Sequence, residues 1–240
     1  MSGDGVGPRF GAPAFFGDRY AHEYDERHVL DPAPAVEFLA GLVPEVSRVL
    51  ELAVGTGRVA VPLAARGVAV EGVDGSAAMI ERMREKPGGA AIPAAVGDMA
   101  DVAASVSGPF KLAYLVFNKL FNLPGQERRI DCFRNVAAVL EPGGLFVTEC
   151  FAQDLTEFDR GQRLTFDAQG TTLRPLWLSY CWPSELDLMA RLASTVYASG
   201  MRIGTTARSP GQAAATCPCS NGPSDRVFAA FRTPATPGTH

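Results

Sequence analysis

Four short clusters place chemically useful residues where runs of strand-like apolar residues end. The first is Glu51-Leu52-Ala53-Val54-Gly55-Thr56-Gly57, which ends an apolar run over residues 48–53. Its glycines let the backbone turn tightly and approach a ligand, and the helical pattern that follows offers free N–H groups. The second is Asp74, which closes a run over residues 68–74 and can accept both hydroxyls of a ribose. The third is Gly97-Asp98-Met99, an acid beside a thioether, which suits a purine with one polar edge and one apolar face. The fourth, Phe117-Asn118-Lys119-Leu120, stands at the mouth of the strongly apolar run over residues 110–117.

Each cluster also has an ordinary reading. A Gly-x-Gly pair is often only a tight turn, Asp98 is a plausible helix N-cap, and Asn118 can start a turn. Met79 and Met83, at helical spacing, are more often core residues than cofactor contacts. The joint placement favours a ligand site: Asp74 lies 17 positions past Gly57, and Asp98 ends the next strand. Gly55-Thr56-Gly57-Arg58-Val59-Ala60 also fits the dinucleotide fingerprint, so an NAD(P)-dependent oxidoreductase of Rossmann type is a competing reading. Against it, no second catalytic half and no Tyr-x-x-x-Lys pair follow the fifth strand. Glu51 beside the glycine turn would also repel a pyrophosphate, and would suit a ligand with a cationic part better.

The elements that must position these residues alternate. Helix is expected over residues 33–42, 58–65, 76–86 (with Ser76 as N-cap), 126–140 and 183–193. The last of these opens on Pro183 and carries Leu186, Met189 and Leu192 on one face. Strands are expected over residues 48–53, 68–74, 94–98, 110–117 and 145–151, with Glu141-Pro142-Gly143-Gly144 as a turn before the last. Buried apolar strands alternating with helices form a mostly parallel, doubly wound α/β sheet with right-handed crossovers, which is a Rossmann-like fold. Ligands bind such sheets beyond the carboxyl ends of the strands, where all four clusters fall. Residues 1–32 read as an irregular N-terminal arm, 33–193 as the main domain, and 163–180 as a hairpin cap insertion turning at Gln169-Gly170.

Composition limits the partners. The chain has 240 residues, 47% of them hydrophobic and 20% charged, with a net charge of -4. That is the size of one domain, and it lacks the Lys/Arg surplus of a nucleic-acid binder. No apolar run reaches a membrane span, and Met1-Ser2-Gly3-Asp4-Gly5 is not the start of a secretory signal. Five cysteines are few and odd in number, as expected of reduced thiols in a cytoplasm. Cys217-x-Cys219 is too isolated to be a metal site, so no metal is expected.

Val49 to Gly57, Gly72-Val73-Asp74-Gly75-Ser76, Met79, Gly97-Asp98-Met99 and Leu140-Glu141-Pro142-Gly143-Gly144 resemble the ordered motifs of class I S-adenosylmethionine-dependent methyltransferases. The resemblance covers about residues 20–193 and, with Tyr24-Asp25, is similar to small bacterial enzymes acting on natural products. It implies that S-adenosylmethionine is the cofactor, with Ala53, Gly55 and Gly57 against its methionine part and Asp74 on its ribose. It further implies that Asp98 and Met99 contact adenine, that Met79 packs near the base, that Phe117 and Asn118 lie between cofactor and acceptor, and that the N-terminal arm lies over the cofactor mouth. Tyr24, Glu51 and Arg58 complete the expected cofactor set.

The implied reaction is methyl transfer to an N or O atom of a small-molecule acceptor by in-line displacement, with a monomer or homodimer and no nucleic-acid or membrane partner. Positioning supplies much of the rate; a hydroxyl acceptor also needs a base, whereas a neutral amine needs only its lone pair. His28 on the arm, Asn118 and Glu149 at the end of the fifth strand are the candidate catalytic residues. His22 is the other arm histidine, and Tyr180 and Trp182 are candidates for an acceptor pocket, with core packing the expected place of Trp182. A domain that binds the cofactor but has lost catalysis is a further alternative.

Residues 194–240 depart from the rest, running through Ser209-Pro210-Gly211-Gln212-Ala213-Ala214-Ala215-Thr216 without periodicity. Starting at the third base of each codon, residues 202–209 and 216–221 can encode segments similar to the closing parts of this methyltransferase group. A shifted reading frame after about Ala193 is therefore expected, leaving the last two strands in doubt. In the opposing reading, residues 201–204 and 227–231 are those strands.

Overall fold

The structure, a computed structural model, describes residues 12–27, 31–44, 47–151, 181–203 and 226–235. The strands are β1 (Arg48–Leu52), β2 (Ala69–Asp74), β3 (Ala94–Val96), β4 (Phe110–Leu115), β5 (Leu140–Phe151), β6 (Val196–Ile203) and β7 (Arg226–Arg232). They form one seven-stranded sheet in the order β3-β2-β1-β4-β5-β7-β6. The first five are parallel, and β7 runs antiparallel between β5 and β6. Strand order reverses on either side of β1, so the crevice beyond β1 and β4 is the switch point at which such sheets bind ligands.

The helices are α1 (Phe15–Tyr20), α2 (Tyr24–Arg27), α3 (Ala33–Ala40), α4 (Ala60–Ala64), α5 (Ala77–Arg84), α6 (Gly125–Val139) and α7 (Pro183–Leu192). Local chemistry accounts for several of their starts. The Asp31 carboxylate accepts the Ala33 N–H at 2.9 Å, and Ser76 Oγ accepts the Met79 N–H at 3.3 Å. Helices cover both faces of the sheet. One core gathers Leu50, Leu52, Leu115 and Phe133; the other gathers Val49, Leu63, Leu112 and Tyr114.

Four expectations change. Among the described residues of the arm, 12–27, the chain is not irregular: α1, a 3-10 turn (Ala21–Glu23) and α2 follow one another. Strand β5 begins at Leu140, because Glu141-Pro142-Gly143-Gly144 forms a bulge within it; Phe110 pairs with Leu140 but Leu112 with Leu145. Leu192 is 59% exposed, and Ala190 and Ala193 join Leu186 and Met189 on the buried face of α7. These follow the i, i+3, i+4, i+7 spacing that the smaller side chains had hidden.

The fourth change is at the C-terminus, where the doubtful closing strands are present. Phe228 and Phe231 of β7 are buried, and Phe133 of α6 meets the rings of Phe146 and Phe231 edge-on at 5.0 and 5.1 Å. The Thr233 hydroxyl donates to the Glu141 carbonyl at 2.8 Å, tying the end of β7 to the β5 bulge. Residues 163–180, expected as a hairpin cap, and residues 204–225, with Cys217 and Cys219, lie outside the described residues.

Candidate functional site

The turn after β1 depends on backbone that few side chains tolerate. Ala53, Gly55 and Gly57 have φ of 52°, 57° and 73°. A side chain at Gly57 would also meet Met83 Cγ at 2.5 Å, so this glycine lets α5 close on the turn and does not itself line the pocket. Gly55 differs: its amide donates to Asp74 Oδ2 at 2.8 Å, while the Ser76 amide donates to Asp74 Oδ1 at 2.9 Å. Each carboxylate oxygen keeps a lone pair for a further donor, the arrangement needed to receive two hydroxyls. Burial raises the Asp74 pKa, against the lowering effect of those two amides.

Glu51 lies beneath this turn and is 2% exposed. Burial raises its pKa to about 8, although the Tyr114 hydroxyl donates to Oε2 at 2.9 Å and the Ala60 amide also donates to it. At neutral pH the carboxyl is therefore largely protonated until a cation approaches. Its charge therefore disfavours a pyrophosphate less than the sequence implied. The geometry disfavours one instead, because the Gly55 amide that would cradle a phosphate already serves Asp74.

On the purine side, Asp98 Oδ1 accepts the Ala100 amide at 2.9 Å, so Asp98 is an N-cap as well as a wall residue. Its Oδ2 accepts from Arg128 at 2.7 Å, and Arg128 also holds Asp101 at 2.8 Å. Met99 and Met79 supply apolar wall; Met79 is buried against Ala21 and Tyr24 as well, so its core and pocket readings both hold. Arg128 on α6 was missed in the sequence, which does not show which carboxylates a helical arginine will meet.

Beyond β4, Phe117 and Asn118 are both left-handed, with φ of 56° and 61°. Glu149 anchors them: its Oε2 accepts the Phe117 amide at 3.1 Å, and its carbonyl accepts the Asn118 amide at 3.1 Å. The Phe117 ring carries the Arg58 guanidinium 4.1 Å from its centroid, and Arg58 donates to the Tyr24 hydroxyl at 3.1 Å. Tyr24, Arg58, Phe117 and Lys119 line the pocket; Asn118 and Glu149 do not.

The arm closes the other side. Asp25 accepts from Thr56 at 2.6 Å and pairs with Lys86 at 2.8 Å, and those partners lower its pKa against the opposing effect of burial. Asp18 accepts from Ser76 at 2.6 Å, and Pro13, Phe15 and Gly17 form part of the pocket wall. Among the candidate bases and acceptor residues, His28 and Tyr180 lie outside the described residues, and His22 is exposed. Trp182 is 46% exposed at the start of α7, not in the core.

Of the expected cofactor set, Tyr24, Glu51, Ala53, Gly55, Arg58, Asp74, Met79, Asp98, Met99 and Phe117 share this one pocket. Its chemistry fits S-adenosylmethionine: a buried acid for a cation, a two-oxygen acceptor for a ribose, and an acid with thioethers for adenine.

Comparison with known proteins agrees. Residues 49–144 match the methyltransferase-domain family. A curated relative, described as the putative methyltransferase YqeM of Bacillus subtilis, is 26% identical over 183 residues, covering 74% of this chain and 72% of its own. The solved structure of the CcbJ methyltransferase from Streptomyces caelestis is 29% identical, with a TM-score of 0.73 over 93% of this chain and 99% of that one. The glycopeptide N-methyltransferase MtfA, solved with S-adenosylmethionine, is 18% identical and shares the fold, with a TM-score of 0.59 over 87% of this chain and 96% of that one.

Proposed function

We propose that the chain, which is a class I S-adenosylmethionine-dependent methyltransferase, methylates a nitrogen or oxygen of a small-molecule acceptor. The observation that supports a small acceptor is the arm: Pro13, Phe15, Gly17 and Tyr24 line the same pocket as the β-strand ends, so the crevice is walled on the arm side too. S-adenosylmethionine supplies a methyl group already activated by its sulfonium.

The residues then bind and orient. Asp74 receives the ribose hydroxyls, with its oxygens aimed by the Gly55 and Ser76 amides. Glu51, ionised by loss of its proton to solvent, would hold the cationic amino group of the methionine part, and Arg58 would hold its carboxylate. Asp98, Met99 and Met79 hold the adenine. Phe117 separates cofactor from acceptor and keeps water from the transfer line. Holding the acceptor atom in line contributes on the order of 7–11 kcal/mol in favourable cases.

An amine acceptor fits this wall better than a hydroxyl. The carboxyls lining the pocket, Glu51, Asp74 and Asp98, stand on the cofactor side, and an amine needs no base during transfer. Three cysteines, Cys132, Cys150 and Cys181, are buried and free, which accords with a cytoplasmic setting. Incubating the protein with labelled S-adenosylmethionine and a panel of small amines and alcohols tests the proposal. Label should appear in an amine; turnover only on a macromolecule would overturn it, and no turnover on any acceptor would leave a binding domain without catalysis.

A further inference from the structure

Glu149 is an acid at the end of β5, yet its carboxylate is 2% exposed and meets the backbone of the neighbouring strand end. Oε2 accepts the Phe117 amide at 3.1 Å, and the Glu149 carbonyl accepts the next amide, that of Asn118, at the same distance. The two residues so held are consecutive and left-handed, at φ 56° and 61°. Asn tolerates that region; a bulky aromatic residue rarely adopts it and is strained there unless its surroundings impose it. The Phe117 ring then stands where the Arg58 guanidinium lies over it, 4.1 Å from the ring centroid, and Arg58 also donates to the Tyr24 hydroxyl. A chain of contacts therefore runs from a buried acid, through strained backbone, to a cation in the cofactor pocket.

We propose that Glu149 is a positioning residue: its side-chain oxygen acts as a hydrogen-bond acceptor that holds Phe117 left-handed, and thereby sets Arg58 in the cofactor pocket. It is not the base of the reaction. The proposal rests on the cofactor reading of this pocket. It makes a prediction that a role for charge or proton transfer reverses. An amide oxygen in Glu149→Gln still accepts the Phe117 amide. The carboxylate in Glu149→Asp keeps the charge but is one methylene short of it.

The experiment titrates the full chain with S-adenosylmethionine by calorimetry. Glu149→Gln should bind within about threefold of the unmodified chain, and Glu149→Asp and Glu149→Met about tenfold more weakly, the loss expected for one hydrogen bond to a strained backbone. In a Phe117→Gly background, where glycine adopts positive φ freely and the ring is gone, adding Glu149→Asp should cost less than about twofold. The reverse order, with Asp unimpaired and Gln weakened, overturns the proposal, as does wild-type binding by Glu149→Met or a Gln variant that does not fold. Asp74→Ala, run alongside, reads the site itself. Undiminished binding there overturns site and positioning role together; weakened binding with the reverse Gln/Asp order overturns the positioning role alone.

Discussion

The two walls of the pocket are built differently. The wall formed by the ends of β1 and β2 is held by main chain: Asp74 is aimed by the Gly55 and Ser76 amides, and the turn carries its positive φ values mostly on glycine. The opposite wall is held by side chains. Glu149 pins a strained Phe117, Arg58 contacts Phe117 and Tyr24, and Asp25 and Asp18 tie the arm to Thr56, Lys86 and Ser76. A site held by backbone keeps its geometry through many substitutions, whereas one held by side chains can be re-aimed by single changes.

If the division is right, the largest effect comes from the rigid wall. Asp74→Ala removes both ribose acceptors, each a charge-assisted bond, and should raise the dissociation constant for S-adenosylmethionine by about a hundredfold or more. Calorimetry measures it, and a change below tenfold would place the ribose elsewhere.

Next is Glu51, whose pKa is raised by burial from 4.5 to about 8. Between those values the folded chain holds a proton that the unfolded chain has released. The resulting stability is complete below pH 4.5 and is lost as pH rises through 8. Glu51→Gln removes that dependence. Relative to the unmodified chain it should gain stability as pH rises, by about 4 kcal/mol between pH 4.5 and pH 8. Thermal melts at pH 5 and pH 8 show this as a growing gap in Tm; a constant gap would mean that Glu51 is ionised throughout.

On the side-chain wall, Arg58→Ala should weaken S-adenosylmethionine binding about tenfold, with Tm nearly unchanged, because it removes a cation stacked on Phe117 and no core volume. Comparing binding with melting separates that from unfolding. The smallest change is expected for Asp25→Asn, which loses the Lys86 ion pair at a half-exposed position but keeps an oxygen for the Thr56 hydroxyl. A loss of about 0.5 kcal/mol and faster cofactor release in stopped flow are expected; a larger loss would mean that the arm carries fold stability and not only closure.

The same contrast explains what the sequence revealed. Strand ends, glycine turns and the acids after them are local patterns, so the places of Gly55, Asp74 and Asp98 at the mouth of the sheet follow from the order of residues alone. The side-chain wall depends on contacts between distant residues, such as Arg128 with Asp98 or Asp25 with Lys86, which no local spacing encodes. Glu149 was visible as an acid at a strand end, but whether it faced solvent, ligand or backbone is a matter of packing. The helical turns of the arm were not legible because Phe15–Tyr20 and Tyr24–Arg27 are too short to show a helical period. Leu192 misled because two small alanines had taken the buried face of α7.

The tail shows both behaviours. Buried Phe228 and Phe231 place β7 in the sheet in the frame in which the chain is read, as the opposing reading of the sequence had it. The shifted frame proposed after about Ala193 is decided by the nucleotide sequence: absence of the alternative codons ends that proposal.

Both walls take their meaning from the identity of the ligand in the crevice. Titrating the unmodified chain with S-adenosylmethionine, with its demethylated product and with NAD is the most direct test. The predicted result is saturable one-to-one binding of the first two and no heat from the dinucleotide, because the Gly55 amide is committed to Asp74. Saturable binding of NAD that S-adenosylmethionine cannot displace would contradict it.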